Sequence, residues 1–172
     1  ELKTKINGLM AINSGSANGS KEKARQRLEQ EGSSAEELDA FDQKYAHIPI
    51  PVHPVVRSHP DTGEPAIYVN RAFTRQIADM EKQESDKLLE LLWAQAAVPE
   101  YQCRFKWAPG SVAFWDNRAA QHYASSDYWP ERREMDRVTI SGERPYYTRD
   151  NGEKLTSYAA DQALLTELGM PT

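Results

Sequence analysis

The residues best suited to chemistry lie in one run, Trp107-Ala-Pro-Gly-Ser-Val-Ala-Phe-Trp-Asp-Asn-Arg-Ala-Ala-Gln-His122, and in the two arginines beyond it, Arg133 and Arg137. A Pro109-Gly110 turn feeds the apolar stretch Val112 to Trp115, which predicts a short strand that stops at the polar triplet Asp116-Asn117-Arg118. His122 follows that strand end, where a rigid sheet can hold an imidazole steady. Arg133 and Arg137 come eleven and fifteen residues later, and Arg137 opens the strand-like segment Arg137-Val-Thr-Ile-Ser141. Period-2 alternation puts Arg137, Thr139 and Ser141 on one face and Val138 and Ile140 on the other. A lone histidine near a strand end is most often a satisfied structural residue, and an arginine on a strand is commonly solvated. The functional alternative is specific: imidazole is a good ligand for ferrous iron, and a planar guanidinium fork pairs with a buried carboxylate that would be costly to leave alone.

Three strings decide between these readings. WDNRAAQHYASSDY (Trp115 to Tyr128), RREMDRVTISGERP (Arg132 to Pro145) and HPVVRSHPDTGEPAIYVNRAFT (His53 to Thr74) together resemble the Fe(II)/2-oxoglutarate-dependent dioxygenases of the taurine dioxygenase type, in that family's order and spacing. The resemblance covers most of the chain from about residue 50 to 147. It implies that His122 is the distal ligand of a two-histidine, one-carboxylate iron(II) site. Arg137 would grip the far carboxylate of the cosubstrate 2-oxoglutarate, with Arg133 as a second contact, and Arg137 could also reach the anionic head of the substrate. By the same resemblance Trp115 packs beside the metal, a place that an ordinary core tryptophan would also fill, and Phe73 belongs to an aromatic wall near the substrate, or is simply a packed ring. No other catalytic residue is implied. Arg132 is expected to face solvent.

The family carries its remaining ligands as a His-x-Asp motif upstream of the point where this chain starts. His59-Pro-Asp61 has that form, and with His122 it could be assembled into a self-contained triad. Its setting argues otherwise, because Ser58 to Gly63 has the composition of a tight turn in which proline and glycine serve geometry. His47 and His53, both near prolines, read as structural, with His53 hydrogen-bonded under a sheet. The chain is accordingly expected to be the C-terminal portion of one dioxygenase domain. The implied reaction splits dioxygen, yields succinate and CO2, and hydroxylates the carbon next to a sulfonate such as that of taurine, releasing sulfite and an aldehyde. An alkyl sulfate ester is the neighbouring substrate class. The contrasting reading is a non-catalytic jelly-roll module lacking the His-x-Asp half of the site.

The elements that would position these groups are read in chain order. Residues 1 to 10 predict the last turns of a helix, with Leu2, Ile6 and Leu9 on one side, followed by a small polar loop from Asn13 to Ser20. Lys21 to Gln30 is helix-forming but poor in apolar anchors, and Ser34-Ala-Glu-Glu37 is a capping box leading into a helix anchored by Leu38, Phe41 and Tyr45. The stretch from 13 to 46 therefore predicts a helical flap on a larger body, which in the resembled family would border the substrate entrance. Prolines make Ile48 to Pro54 extended, and Val55 to Arg57 and Ala66 to Val69 form a hairpin around Asp61-Thr-Gly63. Residues 70 to 84 show little pattern. A helix begins near Glu84 with Leu88, Leu89, Leu92 and Trp93 as its apolar face. Tyr101 to Trp107 alternates without error, which predicts a half-buried antiparallel strand with Cys103 as a buried small hydrophobe. An amphipathic piece from Tyr158 to Leu168 is expected on the outside. Strands near 55, 67, 103, 113, 121 and 139 with one packed helix predict a mainly β fold, half of a double-stranded β-helix, or jelly roll, with flanking helices.

Composition sets the outer limits. The chain has 172 residues, is 39% hydrophobic, carries a net charge of −5 and has one cysteine, enough for a core in one domain. An acidic balance argues against a nucleic-acid partner, and no apolar run approaches a membrane span. A cytoplasmic protein acting on a small anionic organosulfur compound and dioxygen is expected, and the resemblance implies a homo-oligomer. No glycine-rich phosphate loop, CxxC or Gly-x-Ser-x-Gly motif offers another chemistry.

Overall fold

The computed structural model describes residues 2–14, 20–46 and 50–167. The middle of the expected 13–20 loop, His47 and Leu168 lie outside the described residues, as does the side chain of Tyr45.

The chain begins as a short helix, α1 (Leu2–Ile6), and turns into strand β1 (Met10–Asn13). Two helices follow, α2 (Ser20–Gln30) and α3 (Ala35–Ala46), then β2 (Pro51–Pro54), the hairpin β3 (Val56–Ser58) and β4 (Pro65–Ile67), and β5 (Thr74–Ile77). Helix α4 (Lys82–Gln95) is the longest element at 14 residues. After a single 3-10 turn at Pro99–Tyr101, the described elements resume at β6 (Tyr146–Thr148), β7 (Lys154–Thr156), β8 (Tyr158–Ala159) and α5 (Gln162–Glu167).

The centre is an antiparallel sheet in the order β5-β1-β2-β8. β1 has four buried residues: Ala11 joins Ile77, Leu88, Leu89 and Leu92 in one cluster, while Met10 and Ile12 join Val52 and Ala78 in the other. A strand packed on both faces shows no alternation. For that reason the sequence pattern puts Met10 to Asn13 at a helix end and the start of a loop, and leaves β5 in the stretch with little pattern; both are strands. Helix α4 starts two residues before the expected Glu84 and covers the sheet; Ser85 Oγ, fully buried, accepts the Ile77 amide at 2.8 Å.

The β3–β4 hairpin forms as expected. His59 N donates to Glu64 O at 2.8 Å and Gly63 N to His59 O at 2.8 Å, with Gly63 at φ 75°, a conformation that glycine adopts without strain. The capping box at α3 also forms: Glu37 N donates to Ser34 Oγ at 3.2 Å and Ser34 N to Glu37 Oε2 at 2.8 Å. Helices α2 and α3 pack on each other, with Arg25 Nε reaching Asp42 Oδ2 at 2.8 Å. His53 meets its expectation, Nδ1 lying 2.8 Å from Ser157 Oγ. Tyr158 to Glu167 differs from the single amphipathic piece expected, giving the edge strand β8 on β2 before α5.

The main correction concerns residues 101–145. The strands expected near 103, 113, 121 and 139 are absent, and among the described residues the strands are two to four residues long, so helix outweighs strand and the mainly β expectation does not hold for them. Cys103 is exposed, not buried. Val112, Phe114, Val138 and Ile140 are 76 to 93% exposed. The physical reason is that alternation fixes which side chains share a face, whereas a strand exists only when a neighbouring backbone takes its hydrogen bonds; among the described residues none lies alongside. No helix among them is long and apolar enough to cross a membrane.

Candidate functional site

Trp115 and His122 come together. Their ring centroids are 4.9 Å apart at an interplanar angle of 49°, and Trp115 Nε1 donates to Asn117 Oδ1 at 2.8 Å. The intervening residues form a turn built on Asp116: its backbone carbonyl accepts the amides of Ala119 at 3.2 Å and Ala120 at 2.9 Å, and its Oδ1 accepts the Arg118 amide at 2.8 Å. A short acidic side chain that bonds the backbone two residues on is the local device that ends the apolar run here.

The turn docks on the β3–β4 hairpin. His59 is largely buried, and its Nδ1 accepts the amides of Asp61 and Thr62, both at 3.3 Å. The imidazole proton therefore belongs on Nε2, which donates to Asp116 Oδ2 at 3.0 Å. Arg118 grips the same carboxylate through Nε at 2.9 Å to Oδ1 and Nη2 at 2.7 Å to Oδ2, and Nη2 also reaches Asp61 Oδ2 at 2.8 Å. Hydrogen bonds from Arg118 first, and from His59 next, hold the Asp116 carboxyl well below the usual carboxylate range; the same carboxylate raises Arg118 above the ordinary arginine value. Gln121 Nε2 donates to Val69 O at 3.2 Å, just past β4. His59 and Asp61 thus have protein partners, and the turn reading of that pair is the one the geometry supports.

The other residues singled out in the sequence are not gathered. His122 is exposed, and among the described residues no hydrogen bond, ion pair or ring contact joins it to Arg133, Arg137 or Phe73. Arg133 lies over the Tyr128 ring at 5.9 Å, Arg137 is exposed, and the Phe73 ring is 51% exposed. Arg132 faces solvent and pairs with Glu134 at 2.6 Å. One arginine that the sequence reading treats only as strand is buried: Arg57, 3% exposed, pairs with the exposed Glu143 through Oε1 at 2.6 Å and stacks over Tyr68 at 5.0 Å. The signal available for it is its place on a strand facing the core.

No group of three or more His, Cys, Asp or Glu able to hold a metal ion occurs among the described residues. His122 offers a single imidazole, which fits one position of a two-histidine, one-carboxylate set; the set does not close among the described residues.

The family model described as taurine catabolism dioxygenase TauD, TfdA family matches residues 1–139. The alpha-ketoglutarate-dependent sulfonate dioxygenase of Saccharomyces cerevisiae is 44% identical over 96 residues, 55% of this chain and 23% of that protein. The alpha-ketoglutarate-dependent sulfate ester dioxygenase of Pseudomonas putida is 42% identical over 93 residues, 54% of this chain and 31% of that protein. A crystal structure of a taurine dioxygenase from Burkholderia xenovorans superposes with a TM-score of 0.64 and 31% identity, covering 96% of this chain and 48% of that one. The chain thus spans about half of the solved structure and less than a third of these curated relatives.

Proposed function

The chain belongs to the TauD/TfdA family of taurine catabolism dioxygenases, and from that premise we propose that it supplies the distal part of an iron(II)- and 2-oxoglutarate-dependent dioxygenase domain of jelly-roll type. The family match over residues 1–139, which includes the Trp115 to His122 turn, carries the reading. The substrate class is an alkylsulfonate or an alkyl sulfate ester, supported by the activities for which the yeast and Pseudomonas relatives are named. With a sulfonate, dioxygen and 2-oxoglutarate would be consumed, and the sulfonate would leave as sulfite from a carbon that becomes an aldehyde, alongside succinate and CO2.

Within that reaction iron(II) and 2-oxoglutarate would, when bound, supply the activation of dioxygen, which is the oxidant. The chain's own residues bind and orient. His122 would offer one imidazole nitrogen to the metal, its ring held against that of Trp115. Arg137 and Arg133 offer guanidinium forks to the carboxylate of 2-oxoglutarate, Arg137 also to the anionic head of the substrate, and Phe73 an apolar wall to its carbon chain. The α2–α3 helical pair would border the entrance. The test uses the purified full-length gene product with taurine and with an alkyl sulfate ester, reading succinate and sulfite or sulfate. Iron-dependent succinate formation that falls to background in His122→Ala is the expected result. Full-length protein that forms no succinate with any sulfonate or sulfate ester would leave the non-catalytic module as the better reading.

A further inference from the structure

We propose that His59 and Asp61, in the turn of the β3–β4 hairpin, are positioning residues that register the Asp116 to Gln121 turn on the folded body and thereby fix the orientation of His122; the claim rests on reading His122 as a metal ligand. From Trp107 to Glu143 the tract has no strand partner among the described residues, so its course is set by few attachments. The side-chain hydrogen bonds joining that tract to the sheet and hairpins, among the described residues, are His59 to Asp116, Arg118 to Asp61, Gln121 to the Val69 carbonyl, and Arg57 to Glu143 at its far end. Three of the four fall within the six residues before His122. They come from both sides of one hairpin, the turn and the residue two beyond β4, so they fix the segment's direction as well as its place.

The chemistry of the attachment is directional too. Two backbone amides occupy His59 Nδ1, which leaves Nε2–H as the donor to Asp116 Oδ2. Asp116 in turn organises the amides of residues 118 to 120. A rotation of the Asp116 carboxylate would therefore release the Arg118 amide, at the start of the turn that leads into Gln121 and His122. Groups hydrogen-bonded directly to a metal-binding imidazole are worth about 10- to 100-fold in metal affinity; His59 and Asp61 act one step further out, through the Asp116 turn, so their effect belongs at the low end of that range.

The test uses the full-length gene product with Co(II) as the metal probe, comparing wild type, His59→Ala, His59→Gln and Asp61→Ala. Amide hydrogen exchange at Arg118, Ala119 and Ala120, Co(II) affinity with its absorption spectrum, and the unfolding midpoint are read for each. In His59→Ala we expect faster exchange, most of all at the Arg118 amide, Co(II) affinity lower by about 10-fold, the low end for groups that orient a ligand, and a changed spectrum. His59→Gln, which keeps a donor for Asp116, should recover most of the affinity. Asp61→Ala removes an exposed side chain, so it keeps the fold and should give a smaller change of the same kind. Faster exchange with unchanged affinity and spectrum would overturn the positioning role, and so would a loss of affinity matched by a general fall in the unfolding midpoint that His59→Gln does not rescue. The premise has its own control: Co(II) affinity unchanged in His122→Ala would sink the reading of that residue as a ligand, whatever the exchange at 118 to 120 shows.

Discussion

The folded Asp116 carboxyl lies below its unfolded value of 3.8 because Arg118 and then His59 bond its charged form. Its contribution to stability is thus present above that value and is lost as pH falls through the lower folded one. A carboxyl-carbon NMR titration of the native protein should find Asp116 still ionised where ordinary aspartates have protonated, and Arg118→Ala should move it upward. His53 is shifted down by burial first and by Arg57 next, from an ordinary 6.5. The unfolded chain then takes up the proton first, so stability should fall as pH drops below about 6.5 toward the lower folded value; His53→Asn should flatten that part of a denaturation-versus-pH curve. Ser157 Oγ donates to Pro145 O at 2.7 Å, so it accepts from His53 Nδ1–H, and a protein partner is what the sequence leads one to expect of this histidine.

Among the secondary-structure elements, the junction of α4 and β5 holds the body together. Leu89 is fully buried between sheet and helix. Leu89→Ala should cost about 2–5 kcal/mol in chemical denaturation. Ser85→Ala should cost about 1–3 kcal/mol, because the buried Ile77 amide loses its acceptor. Helix α4, the capping box at Ser34 and the hairpin around Asp61-Thr-Gly63 are legible because each is specified by residues adjacent in the chain. Strands β1 and β5 are not. Met10 to Asn13 becomes a strand because β2 and β5, both far along the chain, take its hydrogen bonds, and nothing local announces that.

Over the full chain, the sheet with α4 is densely packed whereas residues 101–144 are mostly exposed. Limited proteolysis should therefore cut first within 101–144 and leave 51–95 protected, since regions with few buried contacts open at low free-energy cost; early cleavage within α4 would contradict the described packing. Residue order alone was enough to place the chain in its family, through three strings that resemble it in order and spacing, and enough to mark the local elements, through capping, turn composition and helical periodicity. What those residues touch emerged only on folding: His59 and Asp61 serve a turn far along the chain, Arg57 is buried on Glu143, and an alternating run such as Tyr101 to Trp107 stays out of any sheet. The reason is that a face or a turn is encoded locally, whereas a ladder partner or an ion pair depends on segments distant in the chain that must first be brought within reach.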